Sequence, residues 1–350
     1  MAINESINDQ KIKSNKKIIV GLVILLVVSG LVIGWLMSSG PLLHWSVEMG
    51  WTPVARLFVL MGANVNAENQ NGRTPLFVAI DWEEHYGNIE LIKFLIDEGA
   101  DVNAKITEKD PMRQGMTPLH LAVCKKNIEV TKYLISQGAD IHAQARYGVT
   151  PLHYAVRFNE NVDVAKLLVS EGADVHTKAL GIRTPLDWAA LANKNVDVFK
   201  FLVSQGADVN ATDETGATPL QWAVQCNTAE VVQFLISAGA DMNAKNIYGT
   251  TMLHCATCNE NVEVAKLFIS AGADVNARIS FDSPSNMAGS TPLHQLAYIN
   301  RNVEIAELLV SEGADVNAKD KAGKTPLDIA RENMNKEVVE YLSGLSAYQR

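Results

Sequence analysis

Between residues 41 and 350 the apolar positions come in paired short runs, each spaced for one face of a helix and separated by polar turns. The clearest stretch is Thr150–His176, TPLHYAVRFNENVDVAKLLVSEGADVH. Thr150 suits a helix N-cap and Pro151 the first helical position. Leu152, Ala155 and Val156 then lay an apolar stripe along a first short helix. Val164, Leu167 and Leu168 repeat the i, i+3, i+4 spacing on a second. Gly172 supplies the C′ residue that ends it, and Ala173–His176 leads out through an extended turn. Such a helix–turn–helix unit leaves part of its apolar surface uncovered and needs a neighbour on each side.

The neighbours are present. The threonine recurs at Thr74, Thr117, Thr150, Thr184, Thr218, Thr251, Thr291 and Thr325, at intervals of 43, 33, 34, 34, 33, 40 and 34 residues. The glycine recurs at Gly62, Gly99, Gly138, Gly172, Gly206, Gly239, Gly272 and Gly313, each followed by Ala and then Asp or Asn. A period near 33 carrying T-P-L-H-x-A resembles the ankyrin-repeat family over residues 41–350, about nine units. The resemblance implies an all-α repeat solenoid of stacked helix–turn–helix units with β-hairpin-like fingers, and another protein as the partner.

Ahead of the repeats the pattern changes. Residues 1–17 are polar and end in Lys11, Lys13, Lys16 and Lys17. Residues 18–37, IIVGLVILLVVSGLVIGWLM, run without a charge. At about 1.5 Å per residue, 20 helical residues span about 30 Å, the thickness of a bilayer's hydrocarbon core. We therefore expect a transmembrane helix that anchors the chain in the lipid bilayer. The rival is a signal peptide cleaved near Ser38-Ser39-Gly40, which would leave a secreted protein; Pro41 disfavours it, as does the length of the run. Lysines stay on the cytoplasmic side, so the repeats are expected outside the cytoplasm, in a periplasm if the chain is bacterial. The family resemblance points the other way, because ankyrin repeats mostly work in the cytosol or nucleus. The charges belong to this chain and carry the expectation.

The ends and breaks of the period are also legible. The first unit is degenerate, with Pro41-Leu42-Leu43-His44 in place of the motif, and Trp45 and Trp51 serve either a capping core or the lipid headgroups. Thr251-Met252 lacks the usual proline, so the seventh unit's first helix should start loosely. Extra residues fall near 81–86, 105–115 and 279–289, either as solvated loops or on the binding side. The last unit carries Arg331, Glu332, Lys336 and Glu337, a polar face fit for a terminal cap.

The formal net charge is −9, with the first 40 residues at +2 and the rest at −11. An acidic body without a basic stripe disfavours nucleic acid. Four cysteines in 350 residues are no disulfide framework. Cys255-Ala-Thr-Cys258 has the spacing of a redox or zinc pair, yet zinc needs two more ligands and thiol chemistry a helix N-terminus beside a strand. In register Cys255 matches Tyr154 and Trp222, read as inward, and Cys258 falls on the outer side. His44, His120, His153, His254 and His294 all stand fourth in the motif, where the resemblance implies a structural role; only His85 lies outside the register. No phosphate loop, nucleophile elbow or H-E-x-x-H is present, so neither a catalytic site, a cofactor nor a metal is expected. Asn210-Ala-Thr212 fits the N-glycosylation pattern, relevant only in a eukaryotic lumen.

What remains is a surface. In the family, contact positions flank the finger glycine and lie five and six residues after the motif leucine. Carried onto this chain they are Asp81, Trp82, Arg146, Tyr147, Val149, Arg157 and Phe158, then Leu191, Gln225, Ile247, Tyr248, Tyr298 and Ile299. Aromatics and arginine at such places are typical interface anchors.

Overall fold

A computed structural model of the chain describes residues 40–81, 89–107, 113–159, 161–179, 183–280, 287–299 and 302–348. The apolar run 18–37 and the loop holding Trp82 and His85 lie outside the described residues. Among those described, no helix is long and apolar enough to cross a membrane. The chain forms two compact bodies, Met1–Arg146 and Tyr147–Arg350.

The N-terminal body holds three helix pairs: α1 (Gly40–Glu48) with α2 (Thr52–Leu60), α3 (Pro75–Asp81) with α4 (Ile89–Asp97), and α5 (Pro118–Cys124) with α6 (Ile128–Ser136). In α1 and the turn after it, Trp45 and Trp51 meet edge to face at 5.0 Å, both half-buried. The C-terminal body continues the pattern with α7 (Pro151–Phe158), α8 (Asp163–Ser170), α9 (Pro185–Ala192), α10 (Val196–Ser204), α11 (Pro219–Cys226) and α12 (Ala229–Ser237). It ends with α13 (Met252–Ala256), α14 (Val262–Ser270), α15 (Pro292–Ile299), α16 (Val303–Ser311), α17 (Pro326–Glu332) and α18 (Lys336–Tyr348). Within it, first helices stack on first helices: α7 on α9, α9 on α11, α11 on α13, α13 on α15 and α15 on α17.

The motif's chemistry explains each start and stop. Thr184 Oγ1 accepts from the Asp187 N–H at 3.3 Å, and Pro185 fills the next position, where a missing N–H costs nothing. Gly172, at φ +108°, turns the chain out of α8 in a left-handed conformation that a side chain resists. Leu152, Leu168, Leu186, Leu202, Leu220 and Leu235 are fully covered and form a continuous seam between units. The last helix runs on through the place where earlier units break at glycine, as a terminal cap can.

The expected β-hairpin fingers are smaller than that. Among the described residues there is no strand, and the only bridge pairs Ala179 with Arg183. Elsewhere a finger is a tight turn closed by a backbone bond at its base, as from Asp213 N to Ala217 O at 3.0 Å. Two insertions keep the same closure. Ile106 N donates to Met116 O at 2.9 Å, and Ile279 N to Ser290 O at 3.0 Å, so the extra residues are pinched off at their base.

Two polar ladders tie the units of the C-terminal body together. The first is built from the fourth motif residue. The Thr150 N–H donates to His153 Nδ1, which leaves Nε2 protonated to donate to the Arg183 carbonyl at 3.2 Å. His254 does the same to Ser290 O at 3.1 Å and His294 to Lys324 O at 3.0 Å; Gln221 Nε2 donates to Thr250 O at 3.1 Å. The second ladder is of buried asparagines after the first helices. Asn193 Nδ2 donates to Val156 O and Asn159 O, Asn227 to Ala190 O and Asn193 O, and Asn259 to Val224 O and Asn227 O, all between 2.7 and 3.1 Å.

Asp187 breaks the first ladder. Its Oδ2 accepts from Thr184 N and Oγ1, both at 2.8 Å, but Oδ1 is buried without a partner. A carboxylate has no proton to offer the next unit's carbonyl, and burial pushes its pKa up to about 6. Asp328 makes the same cap at the start of α17. There the bonds from Thr325 lower the pKa instead.

Candidate functional site

Among the inferred contact residues of the N-terminal body, Asp81 is committed inside the protein. Its side chain is 15% exposed and is paired with Arg73 at 3.0 Å, Arg113 at 3.1 Å and Lys125 at 3.2 Å. Burial raises its pKa, but Arg113 and Lys125 outweigh that and hold it below the ordinary value. It holds that corner together and is not free to meet a partner. Arg146 is exposed, its N–H donating to Gln114 O at 2.9 Å.

In the C-terminal body Val149 departs from the expectation. It is 5% exposed. It therefore leaves the contact set. Tyr147, Phe158, Ile247, Tyr298 and Ile299 are exposed large apolar side chains, from 43% at Phe158 to 55% at Tyr147 and Ile247. Arg157, Leu191, Gln225 and Tyr248 are half-buried.

The structure brings some of these together through residues the sequence reading passed over. Tyr154, Trp188 and Trp222 occupy one register position on α7, α9 and α11 and, against the inward reading, are half-buried. Tyr154 stacks on Phe158 at 6.0 Å and meets Trp188 edge-on at 6.2 Å. The Arg157 guanidinium lies 5.2 Å from the Trp188 ring and 5.3 Å from that of Phe158. Arg183 lies 4.4 Å over Trp222, with its Nε 3.9 Å from Asp213 Oδ2. Burial first, and then the charge of Arg183, hold the Arg157 pKa below its usual value. Among the described residues Arg157 Nε and the indole N–H groups of Trp188 and Trp222 are buried without a hydrogen-bond partner, and Arg183 Nε has only its ion pair with Asp213. The signal in the sequence that marks this place is the aromatic column Tyr154, Trp188 and Trp222 at 34-residue spacing.

The column ends at Cys255, and α13, one residue shorter before its asparagine, is only five residues long. A cleft of about 120 Å³ opens there, lined among others by Thr215, Trp222, Gln225, Cys255, Cys258 and Gln295. Both Cys255 and Cys258 are free and half-buried, Cys258 accepting from Gln295 Nε2 at 3.5 Å. Burial pushes both thiols up, which is the opposite of what activates a thiolate. Cys255 sits at the end of its helix, away from the N-terminus. Among the described residues no group of three His, Cys, Asp or Glu side chains is placed to hold a metal.

Comparison with known proteins agrees with this architecture. A family model described as Ankyrin repeats (3 copies) matches residues 21–106, 104–179, 183–279 and 280–348. The chain is similar to the putative ankyrin repeat protein FPV233 of fowlpox virus (strain NVSL), 34% identical over 83 residues, covering 24% of this chain and 15% of that protein. It is 28% identical over 130 residues to human Rabankyrin-5, covering 33% of this chain and 10% of that protein. A third, the putative ankyrin repeat protein FPV230 of the same virus, is 32% identical over 77 residues, covering 22% of this chain and 36% of that protein. The chain thus spans a small part of each of these relatives. The family match runs through nearly all of the described helices, and on that ground the chain belongs to the ankyrin-repeat family.

Proposed function

We propose that this chain is a protein-binding scaffold of about nine ankyrin units, held at a membrane by residues 18–37, with the repeats outside the cytoplasm. The observation that carries the binding reading is the set Tyr147, Phe158, Ile247, Tyr298 and Ile299, large apolar side chains left exposed beside half-buried Arg157 and Tyr248. Single exposed apolar residues are ordinary, but several at family contact positions fit anchors of an interface. The anchor rests on the 20-residue apolar run and the four lysines before it. Tethering raises the effective concentration of the scaffold toward partners in or near the same membrane.

The test is capture by the full chain in detergent, comparing wild type with Phe158→Ala and Tyr298→Ala. A partner retained by wild type and lost from both variants supports the reading; equal retention by all three overturns the assigned face. Reporter fusions at the C-terminus test the orientation, since a reporter active only in the cytoplasm should stay silent. The intact mass of the mature chain separates an anchored protein from a secreted one cleaved after residue 37.

A further inference from the structure

We infer that the C-terminal body takes an extended acidic segment of a partner protein along Arg157, Trp188, Arg183 and Trp222, with one uncharged side chain of that segment seated in the cleft at Cys255. This rests on the reading of the chain as a scaffold and names the chemistry of what it holds.

Three observations converge on it. The first is charge. Among the described residues Arg157 has no ion pair, and Arg183 has only Asp213 at 3.9 Å. The two neighbouring guanidiniums have a single carboxylate near them, Asp213 beside Arg183, so a carboxylate from outside finds a complement here. Both planes are already laid on aromatic rings, at 5.2 Å on Trp188 and 4.4 Å on Trp222, so little order is lost when they bind.

The second is the row of unpaired donors. Among the described residues Arg157 Nε, Trp188 Nε1 and Trp222 Nε1 are buried without an acceptor, and Arg183 Nε has only the Asp213 carboxylate, at 3.9 Å. A buried donor left unpaired is costly, and a small shift of these rings and guanidiniums toward a ligand that supplies acceptors recovers that cost. Trp188 and Trp222 stand on packed neighbouring helices, whose axes lie about 8–10 Å apart. An extended peptide advances about 3.3 Å per residue, so acceptors three residues apart reach successive indoles.

The third is the cleft. Where Tyr154, Trp188 and Trp222 fill their register position, Cys255 leaves about 120 Å³ open beside the Trp222 ring. Its walls are amide, hydroxyl, thiol and indole groups without a charge, lined by Gln225, Gln295, Thr215 and Cys258. An uncharged side chain next to the acidic residue fits there.

The test uses the full chain in detergent and fluorescein-labelled pools of extended peptides read by anisotropy. One pool carries Glu or Asp among apolar residues, a second carries Gln or Asn at those positions, a third Lys. The acidic pool should bind at least about tenfold tighter than the amide pool. Arg157→Gln and Arg183→Gln should each cost about tenfold on the acidic pool and leave the amide pool unmoved. Cys255→Trp, which restores the aromatic column, should fold with an unchanged melting curve and weaken the acidic pool by a similar factor; Cys255→Leu serves if the tryptophan variant does not fold. Acidic and amide pools binding alike, or Cys255→Leu and Arg157→Gln both binding like wild type, overturn the inference. If in that case Phe158→Ala weakens every pool, the scaffold reading survives and only the acidic segment fails. If no pool binds, the acidic segment is overturned, while the scaffold reading is decided by the capture experiment.

Discussion

The side-chain amide of Asn193 donates to the backbone carbonyl of Asn159 across 2.8 Å, joining residues 34 apart in the chain. Its second hydrogen goes to Val156 O at 2.7 Å, and its Oδ1 accepts from Asn195 N at 2.9 Å. Asn193→Ala strips donors from two carbonyls in a place 3% exposed. We expect a loss of about 2–3 kcal/mol in urea unfolding. Asn210 makes a similar inter-unit pair at the surface, to Gly239 O at 3.0 Å, and Asn210→Ala should cost under about 1 kcal/mol. Equal losses would mean that burial is not what gives the inner ladder its strength.

Asp187 sets an opposing alkaline limit. Its pKa of about 6 in the folded protein stands above the ordinary 3.8, so the folded state holds its proton more tightly. The stability this contributes is present below about pH 4 and is lost as pH rises through 6. Asp187→Asn removes the charge and should gain up to about 3 kcal/mol at pH 8, with a smaller gain at pH 5. A gain that does not change with pH would show that the carboxylate titrates alike in the folded and unfolded chain.

The buried histidines act at the acid end. Burial lowers His153 and His254 to about 4, against an ordinary 6.5. The unfolded chain then binds more protons than the folded one between those values, and stability falls as pH drops from about 6.5 toward 4. Gln221 shows that an amide can serve the same position. His153→Gln should therefore flatten that acid limb at a cost of about 1 kcal/mol at pH 7. An unchanged slope between pH 6.5 and 4.5 would remove His153 from the account.

Core and face should separate in stability. Leu152→Ala, at 1% exposure, should cost about 2–5 kcal/mol of folding. Phe158→Ala, at 43%, should cost about 1 kcal/mol or less of folding and about 2 kcal/mol of partner binding. Tyr248→Ala should behave like Phe158→Ala in binding. Binding losses that merely track unfolding across the three would sink the idea of a separate recognition face.

Alkylation of the native protein should find Cys226 first, since it is the exposed thiol. Cys124, pushed up to about 12, and Cys255 should react only as the protein unfolds. Mass mapping at partial labelling decides the order. Early labelling of Cys255 would mean that the cleft opens far more than the structure shows.

The helices were readable because Thr, Pro and Gly each leave a local mark: Thr184 caps, Pro185 gives up no bond, Gly172 takes a positive φ. The polar ladders were less so. Asn159, Asn193 and Asn227 look like ordinary loop residues until stacking buries them between carbonyls of two units. The face was read partly amiss for a related reason. Register places Val149 beside a finger glycine and Asp81 near the end of a first helix, but it does not say which way either side chain turns. Val149 is buried, and Asp81 is drawn in by cations that include Arg113, distant in sequence. Register alone sets Tyr154 and Trp222 inward, whereas the structure leaves both half-buried in a column that ends at the smaller Cys255.

The closing bonds at Ile106–Met116 and Ile279–Ser290 make each insertion a side branch of the stack. Residues added beyond such a pinch do not change the register of the units on either side, because each unit finds its place from the carbonyls of its neighbour and not by counting along the chain. This lineage can therefore lengthen a finger, or gain and lose whole units, while every other contact keeps its address. A deletion of part of a unit has no such freedom, since it moves every later ladder rung off its mate.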